Sequence, residues 1–402
     1  MQPKSVKDLS VKGKRVFVRA DYNVPLNEAL EITDDLRIQA SLPTIQYLLD
    51  NGAAVILASH LGRPKGERIP QMSLAPVAKR LSELLKRPVQ FATDCIGSEV
   101  EQMAKALKPG QVLLLENLRY HNGETKNDPD FSAALAKLAD VYVNDAFGTA
   151  HRAHSSNVGI TKFFVKEATG AGFLLMKEMA FLVHAIEKPV RPFTVIMGGA
   201  KISGKIDLIK SLAEKADHIL IGGGMAFTFL AAPPLEQDVG GSMVEADKLD
   251  LATEIMSFCA DRKVDLVLPS DCVAAETISN DAAVKNLPIR SLSGELKGLD
   301  IGSQTLKTFE SIIRDSKTIL WNGPMGVFEF KPFENGTRRI AEILAEVTQS
   351  GATTIVGGGD SAAALAQFGL TDQVTHVSTG GGAALELLSG IKLPAFEALK
   401  GE

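Results

Sequence analysis

Clusters of glycine follow short apolar segments in the second half of this 402-residue chain. Glycine adopts backbone angles that other residues avoid and lets a ligand approach the main chain closely. A helix that starts just after such a turn offers free N–H groups to a phosphate. Five such endings in one half of the chain predict phosphate-binding turns along one edge of a sheet: Gly198-Gly199, Gly222-Gly223-Gly224, Gly323, Gly357-Gly358-Gly359 and Gly380-Gly381-Gly382.

Two of these segments come close to known nucleotide motifs. Residues 199–205 fit G-x-x-x-x-G-K, but Ile206 follows where a P-loop needs Ser or Thr to hold magnesium. Residues 357–362 fit G-x-G-x-x-A, yet the next predicted strand lacks the carboxylate that a dinucleotide fold places there. Asp360 lies inside that turn, where its carboxylate suits a phosphate bridged by Mg²⁺. A nucleoside triphosphate with Mg²⁺ therefore fits the sequence better than NAD.

Arginine is concentrated in the first half, which carries nine of the fifteen arginines. Four of them lie in or beside loops that follow predicted strands, and guanidinium groups bind phosphate and carboxylate in a bidentate manner. Neighbouring polar residues complete a predicted basket for a small, highly anionic, hydroxylated molecule. The basket consists of Asp21, Asn23, Arg37, His60, Arg63, Arg119 and Arg152.

Three further polar residues follow the strand predicted at 141–144. Asp145 is a candidate base, although its polar surroundings favour a role in orienting neighbouring side chains or loops. His151 and His154 lie in no metal-ligand motif and have no carboxylate or cysteine close in sequence. We expect both histidines to serve structure or anion contact.

Backbone amides, two lysines and a metal-binding carboxylate in one half, with an arginine basket in the other, predict phosphoryl transfer between a nucleotide and a small anion. That chemistry needs positioning and charge neutralisation more than covalent catalysis. Sites on two domains also predict hinge closure, which excludes water. A P-loop-type ATP-dependent enzyme, a dehydrogenase and a two-lobed solute-binding protein remain as alternatives.

Apolar, β-rich segments alternate with amphipathic helical segments along the whole chain, which predicts parallel sheets covered by helices on both faces. We predict two doubly wound α/β domains, with a boundary in the helical residues 173–186 before Lys188-Pro189. One strand of the second half ends without glycine, at Pro269-Ser270-Asp271. The predicted strands are 15–20, 54–59, 112–116, 141–144, 193–197, 218–221, 265–268, 318–321, 353–356 and 375–378, and the clearest helices are 74–85, 131–138, 245–258 and 337–347.

Composition limits the function classes further. The chain is 45% hydrophobic, which predicts a folded core, and its formal net charge of −5 does not favour a nucleic-acid partner. The N-terminus has no apolar segment of signal-peptide length, and glycines and prolines interrupt the longest uncharged stretch, 218–235. Cys95, Cys259 and Cys272 form no C-x-x-C motif. We therefore expect a cytoplasmic protein with reduced thiols and no membrane partner.

Eight sequence motifs, collinear over nearly the whole chain, resemble the phosphoglycerate kinase family. They are VFVRADYNVP (16–25), SHLGRP (59–64), ENLRY (116–120), VNDAFGTAHRAHSS (143–156), GGGMAFTFL (222–230), WNGPMGVFE (321–329), GGGDS (357–361) and STGGGAALE (378–386). The resemblance implies reversible phosphoryl transfer from 1,3-bisphosphoglycerate to MgADP, giving 3-phosphoglycerate and MgATP. It also implies a monomer with a triose-binding domain at 1–172, a hinge helix at 173–188, a nucleotide domain at 189–389 and a segment at 390–402 that packs on the first domain.

The resemblance also implies a role for individual residues. All seven residues of the basket match triose-binding positions, and Arg37 matches the arginine that stabilises the transferring group. Lys201 and Lys205 match the nucleotide-phosphate lysines, Asp360 the magnesium ligand and Glu329 the ribose contact. With Arg37 and Lys201, the turn amides of Gly358 and Gly359 would offset charge during transfer, and the remaining implied nucleotide positions are Gly222, Gly223, Gly298, Gly323, Pro324, Met325 and Ser361. The chain departs from the family at Gly204, where Asp, Ser or Thr is frequent.

Overall fold

The computed structural model describes residues 2–401, without the side chains of residues 184 and 185. The chain divides into two compact units. The first contains everything up to Met179 together with the segment from Lys392 onward, and the second runs from Ala180 to Ile391. The predicted two-domain α/β fold with parallel sheets is confirmed.

The first unit is built on a six-stranded parallel sheet of order β3-β4-β2-β1-β5-β6. The central strands are buried on both faces, which explains why their sequences are apolar without alternation. The strands are β1 (Arg15–Arg19), β2 (Ala54–Ala58), β3 (Val89–Phe91), β4 (Val112–Leu114), β5 (Val141–Asn144) and β6 (Thr169–Ala171). The sequence predictions missed β3 and β6, which are only three residues long and lie at the two sheet edges.

Helices connect these strands and cover the sheet, as right-handed crossovers between parallel strands require. Buried apolar residues of the sheet and of α1 and α2 form one core cluster. The helices of the first unit before the boundary are α1 (Leu36–Asp50), α2 (Ala75–Leu85), α3 (Ser98–Ala106), α4 (Asn122–Lys126), α5 (Pro129–Ala136) and α6 (Phe173–Met179).

The second unit contains another six-stranded parallel sheet and, beside it, a three-stranded antiparallel sheet. The parallel sheet has the order β15-β14-β13-β7-β8-β9. Its strands are β7 (Phe193–Met197), β8 (His218–Ile221), β9 (Asp265–Val267), β13 (Thr318–Asn322), β14 (Thr353–Gly357) and β15 (His376–Val377). The antiparallel strands are β10 (Asp271–Ala275), β11 (Lys285–Pro288) and β12 (Lys297–Ile301).

The antiparallel sheet was not predicted, although the predicted strand 265–268 is present as β9. Asp271 begins β10, and its carboxylate accepts hydrogen bonds from the N–H groups of Gln304 (2.9 Å) and Thr305 (2.8 Å). Both amides lie in the first turn of the helix Ser303–Asp315. Asp271 therefore caps a helix start, where an acidic side chain satisfies free N–H groups and the helix dipole.

The helices of the second unit follow its strands in the alternation that the sequence predicted. The predicted helix 245–258 begins later, at Leu249, after a short 3₁₀ turn. The helices are α7 (Ala185–Glu187), α8 (Ile206–Ala213), α9 (Met225–Ala231), α10 (Leu249–Asp261), α11 (Ser303–Asp315), α12 (Asn335–Gln349), α13 (Gly359–Gln367) and α14 (Gly382–Leu388).

The chain passes from one unit to the other inside a helical segment. Between α6 and α7, Ala180–His184 is wound as a π-helix, a form that is rare and often found at functional sites. After the second unit, α15 (Pro394–Lys400) belongs to the first unit again, where the N–H of Ala395 donates to the carbonyl of Ala150 (3.0 Å).

Candidate active site

The loops that follow β1 and β2 are tied together by the polar residues of the predicted basket. The guanidinium of Arg37, in the first turn of α1, donates to the Asp21 carboxylate (Nη1 to Oδ2, 3.0 Å). The side-chain oxygen of Asn23 accepts the N–H of Gly62 (2.8 Å). Adjacent parallel strands end at the same edge of a sheet, so the structure brings these loops together as the sequence predicted.

Arg119 is the strongest sign of an anion site in the first unit. Its Nη1 donates to the carbonyl of Gly62 (2.8 Å), but its Nε and Nη2 are buried and have no hydrogen-bond partner among the described residues. Burial and the charges of Arg19 and Arg152 lower the pKa of Arg119 to about 10. A buried cation with free donors is costly unless a ligand supplies the missing acceptors.

His60 lies buried among the same arginines. Burial, followed by the positive charges of Arg19, Arg119, Arg37 and Arg152, lowers the pKa of His60 well below its usual value. The imidazole is therefore neutral near pH 7. The positive charges of Arg37, Arg119 and Arg152 therefore all act on His60.

Arg63 and Arg152 of the basket differ in their contacts, and the sequence predictions missed a further arginine of this region, Arg19. Arg63 is exposed and makes no hydrogen bond or ion pair with any residue between 2 and 401, whereas Arg152 is half-buried and donates from Nε to His151 (3.1 Å). Arg19 is fully buried at the end of β1, and its Nη2 donates to His60 Nδ1 (3.3 Å). The sequence signal for Arg19 was an arginine directly after three apolar residues of a predicted strand.

The remaining polar residues of this segment have structural surroundings. Asp145 is fully buried, and its Oδ1 accepts the N–H of Leu175 (3.1 Å) at the start of α6, so the orienting role is the one that the structure favours. Burial raises the pKa of Asp145 to about 6. Burial and neighbouring arginines lower the pKa of His154 to about 3, so the His154 imidazole, like that of His60, is neutral near pH 7.

One group of potential metal-ligating side chains occurs among the described residues, at Asp94, Cys95 and His121. Its carboxylate is already used: Asp94 accepts from His121 Nε2 (2.7 Å), from the Cys95 N–H (2.7 Å) and from Arg68. We interpret this group as an ion-pair network. All three cysteines are free and buried, as expected for reduced core thiols.

The glycines of the second unit pack their main chains closely at the strand ends. A Cβ on Gly198 would lie 2.1 Å from the carbonyl oxygen of Pro324, and one on Gly323 would lie 2.4 Å from that of Gly198. Gly223 has a φ of +64°, and its Cβ would lie 2.6 Å from the N atom of Gly199. Only glycine fits these positions, and the edge formed by β7, β8 and β13 is therefore lined by main-chain atoms.

The two predicted phosphate lysines have different surroundings. Lys205 Nζ donates to the carbonyls of Gly198 (2.6 Å) and Asn322 (2.9 Å), and burial lowers its pKa to about 8. Lys201 is exposed and makes no hydrogen bond or ion pair within the described range. The carboxylate of Glu245 holds the loop between them by accepting the N–H groups of Ile202 (2.6 Å) and Ser203 (3.2 Å).

The turn between β14 and α13 holds the predicted magnesium ligand. Asp360 lies exposed in the first turn of α13, and its carboxylate has no hydrogen-bond or ion-pair partner from residue 2 to residue 401. The hydroxyl of Ser361 accepts the N–H of Gly323 (2.6 Å), which joins this turn to the end of β13. The buried Asn322 Nδ2 has no partner in the described chain, and a Cβ on Gly358 would lie 3.2 Å from it.

Asn322 is a second residue that the sequence predictions missed. Its signal was a lone amide at the end of a fully buried apolar strand, directly before Gly323. A buried amide donor without an acceptor is rare in folded proteins. It points to an acceptor that a ligand brings to the glycine turn.

A small pocket lies beside the glycine edge. It is lined in part by Gly223, Phe227, Gly298 and Leu299, and a Cβ on Gly298 would lie 2.0 Å from the ring of Phe227. Met325 is fully buried and packs against Gly198 and Gly222, so its side chain shapes the floor of this region. The other two predicted positions of the segment are more open: Pro324 is half-buried and Glu329 is exposed.

Comparison with known proteins agrees over nearly the full length. Residues 6–391 match the family model described as phosphoglycerate kinase. A phosphoglycerate kinase of Chlorobaculum tepidum is 54% identical over 399 residues, which cover 99% of this chain and 100% of that protein. A cytosolic phosphoglycerate kinase of Triticum aestivum is also 54% identical, over 98% of this chain and 96% of that protein.

Solved structures show the same similarity. A phosphoglycerate kinase structure from Coxiella burnetii superimposes with a TM-score of 0.88 at 40% identity and covers 99% of both chains. One from Pyrococcus horikoshii has a TM-score of 0.85 at 32% identity and covers 98% of both chains.

Proposed function

This chain belongs to the phosphoglycerate kinase family and is a phosphotransferase that acts between 1,3-bisphosphoglycerate and ADP, and from that premise we propose that its two units divide the reaction. The first unit binds the three-carbon substrate through its buried side chains. The second binds the nucleotide through its glycine turns. The predicted domain ranges and the roles of the individual residues form part of this proposal.

The unpartnered donors of Arg119 carry the assignment of the triose site. Their missing acceptors match the oxygens of a phosphate or carboxylate, which guanidinium binds in a bidentate manner. Arg37, Arg63 and Arg152 supply further positive charge, and the Asp21 carboxylate and Asn23 amide suit hydroxyl groups. Together these groups recognise a small molecule that bears several negative charges.

The nucleotide site in the second unit relies on the main chain. The turns at Gly222, Gly223 and Gly323, with Pro324 and Met325, frame the nucleotide, while Gly298 faces the base in the small pocket. Lys201 and Lys205 offset charge on the phosphates, Ser361 orients the turn, and Glu329 contacts the ribose. The free Nδ2 of Asn322 supplies one more donor to the phosphates.

A magnesium ion fits the residues at the start of α13. Asp360 offers a carboxylate without a protein partner, and Mg²⁺ is commonly held by one or two carboxylates together with substrate phosphates. Asp360 would hold the ion, which when bound neutralises charge on the nucleotide phosphates. The amides of Gly358 and Gly359 and the side chains of Lys201 and Arg37 stabilise the oxygens of the transferring group.

No side chain of this chain is required as a nucleophile. The acyl phosphate of 1,3-bisphosphoglycerate is already a good phosphoryl donor, so alignment and charge neutralisation are sufficient. Neither His60 nor Asp145 is needed as a general base, because the accepting oxygens of a nucleoside diphosphate and of a carboxylate carry no proton that has to be removed. The transfer is direct, without a covalent enzyme intermediate, and we propose that hinge closure around the helical residues 173–188 excludes water.

We assign the enzyme to the cytoplasm as a monomer, as expected for the family. Its three cysteines are reduced, and among the described residues no helix is both long and apolar enough to cross a membrane. A plant relative that is 54% identical is named as cytosolic.

Turnover of ATP in the presence and absence of 3-phosphoglycerate tests the reaction, because we expect ADP to form only when 3-phosphoglycerate is present. Calorimetric titration tests the division between the units. Arg119→Ala should weaken 3-phosphoglycerate binding by roughly ten- to a hundredfold, the equivalent of one or two charged hydrogen bonds, and leave ATP binding unchanged. ATP hydrolysis that ignores 3-phosphoglycerate would instead support the P-loop-type alternative.

A further inference from the structure

Glu124 is a fully buried carboxylate for which the proposed reaction has no direct use. It lies in the short helix α4, and both of its oxygens accept hydrogen bonds from Ser156. Oε2 accepts the Ser156 N–H (3.0 Å), and Oε1 lies 2.6 Å from the Ser156 hydroxyl oxygen. His154 Nδ1 is 3.9 Å from Oε1 and neutral, so it does not neutralise the carboxylate.

The Ser156 hydroxyl connects this carboxylate to Arg19. Its oxygen lies 2.7 Å from Arg19 Nε, and arginine can only donate hydrogen bonds. The hydroxyl must therefore accept from Arg19, and its own proton is donated to Glu124 Oε1. Arg19, Ser156 and Glu124 thus form a continuous chain of hydrogen bonds.

The other end of the Arg19 guanidinium reaches His60. Its Nη2 lies 3.3 Å from His60 Nδ1, so Nδ1 must be the unprotonated acceptor nitrogen. The neutral imidazole then carries its proton on Nε2, for which the described residues provide no acceptor. Asp21 does not compete for Nδ1, since its Oδ1 lies 3.9 Å away, beyond hydrogen-bond distance.

The charges of this chain of contacts also match. Arg19 is fully buried, and it forms no direct ion pair with a carboxylate among residues 2–401. Glu124 lies behind Ser156, and its charge also acts on Arg119, where it opposes the lowering of the arginine pKa. Without this negative charge, less negative charge would offset the four arginines that act on His60.

We propose that Glu124 is a positioning residue for substrate binding. Through Ser156 and Arg19 it holds His60 as a fixed Nε2–H donor for a carboxylate or phosphate oxygen of the three-carbon substrate. This inference rests on the proposed triose site. Its consequence is that binding of the triose depends on a carboxylate that never touches it.

Two substitutions interrupt the chain of contacts at different points. Ser156→Ala removes the hydroxyl link but keeps the carboxylate. Glu124→Gln removes the charge and replaces one of the two oxygens that accept from Ser156 by an NH2 group, which only donates. Ser155→Ala is the matched control, because Ser155 is equally buried but its hydroxyl donates to the carbonyl of Gly123 (2.9 Å).

The test combines ¹⁵N NMR of the histidine side chains, assigned with His60→Gln, with steady-state kinetics. In the wild type we expect His60 to have a protonated Nε2 and an unprotonated Nδ1. In Ser156→Ala and Glu124→Gln the two tautomers should mix, and KM for 3-phosphoglycerate should rise about tenfold while KM for ATP stays within twofold. Ser155→Ala should change neither the tautomer nor either KM.

The outcomes separate the inference from the proposed function. A wild-type His60 tautomer in Ser156→Ala, or a KM for 3-phosphoglycerate equal to that of Ser155→Ala, overturns the role of Glu124. If Glu124→Gln does not fold, Ser156→Ala alone decides. If 3-phosphoglycerate leaves the His60 signal of the wild type unchanged, the triose assignment of His60 is wrong, whereas the tautomer comparison still reports on the contacts from Glu124.

Discussion

The two units place anion-binding groups at the carboxyl ends of parallel strands in opposite ways. In the first unit the groups are side chains: Arg19 and Arg119 are buried cations, and His60, which contacts Arg19, is buried as well. In the second unit the strand ends are glycines, and their main chains approach to distances that exclude a Cβ. Of the charges there, those of Lys201 and Asp360 are exposed, whereas Lys205 is partly buried.

This difference decides what each site is sensitive to. Buried cations are costly, and the cost appears as the lowered pKa of Arg119 and of His60. The first site should therefore fail when a charge is removed. The second site contains one partly buried cation, Lys205, whose pKa burial lowers to about 8, but its strand ends depend mainly on close main-chain packing, so it should fail when a methyl group is added.

The largest expected effect tests the site of the first unit, which relies on charged side chains. Arg37→Ala removes the guanidinium that pairs with Asp21 and that we place on the transferring group. We expect kcat to fall about a thousandfold, the lower range for loss of an arginine that stabilises a phosphoryl transition state. Nucleotide affinity should stay near the wild-type value, since the substitution lies in the other unit. Steady-state kinetics and nucleotide titration measure the two quantities.

Arg80→Ala serves as the control for this prediction. Arg80 is an arginine of the same unit, but it pairs with Asp35 (2.8 Å) and Glu83 (2.8 Å) on the surface. Exposed ion pairs contribute little, so turnover should remain near normal. Wild-type turnover in Arg37→Ala would remove Arg37 from the reaction and weaken the contrast between the two sites.

The next largest effect tests the site of the second unit, which relies on close packing of glycine main chains. Gly198→Ala would place a Cβ 2.1 Å from the carbonyl oxygen of Pro324, and main chain cannot move aside as a flexible side chain can. We expect a loss of about 3 kcal/mol in the free energy of unfolding, at the upper end for overpacking, together with weakened nucleotide binding. Urea denaturation and nucleotide titration check both outcomes.

Gly204→Ala provides the matched control. A Cβ on Gly204 would have no heavy atom within 4 Å, and its φ lies outside the left-handed region. Alanine there should stabilise the chain slightly, by about 0.5 kcal/mol, through the lower entropy of the unfolded state. Equal stability of the two variants would show that the glycine edge is not limited by space.

The sequence predicted the central parallel strands better than the edge strands and the antiparallel strands. Central strands such as Ala54–Ala58 are apolar throughout, and their endings in His60 or in glycine are visible in the sequence. The short edge strand Val89–Phe91 is only partly buried and includes a glutamine, so it gives no apolar signal. Of the antiparallel strands, β10 contains partly buried positions and begins with an aspartate, and β11 is mostly exposed, so neither gives a continuous apolar signal.

The missed site residues share a physical cause. Arg19 and Asn322 are polar residues at the last position of a buried strand, where sequence alone does not tell a core position from a ligand position. Their role depends on contacts with residues far along the chain, such as Ser156 for Arg19. Glu124 is hidden still more, because a glutamate in a short polar helix is typical of an exposed surface.

The smallest expected effect compares the two units through one buried carboxylate in each. Burial raises the pKa of Asp145 in the first unit to about 6 and that of Asp300 in the second to about 8. Both values lie above the unfolded value of 3.8, so each folded unit binds more protons than the unfolded chain within its window. The contribution of each group is complete below about pH 3.8 and is lost as pH rises through its folded pKa. Between pH 6 and pH 8, ionisation of Asp300 should therefore progressively lower the free energy of unfolding of the second unit. Asp145 loses most of its contribution below pH 6, so the free energy of unfolding of the first unit should change little in this range.

The aromatic residues make this difference measurable. Trp321, the single tryptophan, lies in the second unit, whereas all four tyrosines lie in the first. Urea unfolding followed by tryptophan fluorescence should lose roughly 1 to 3 kcal/mol between pH 6 and pH 8, since one pKa unit corresponds to about 1.4 kcal/mol. Unfolding followed by the tyrosine near-ultraviolet signal should change less.

Asp300→Asn should remove the pH dependence of the tryptophan transition, because the amide does not titrate. A slope that persists in Asp300→Asn would assign the proton to another group, and the two units would then differ in the construction of their sites but not in the cost of their buried carboxylates.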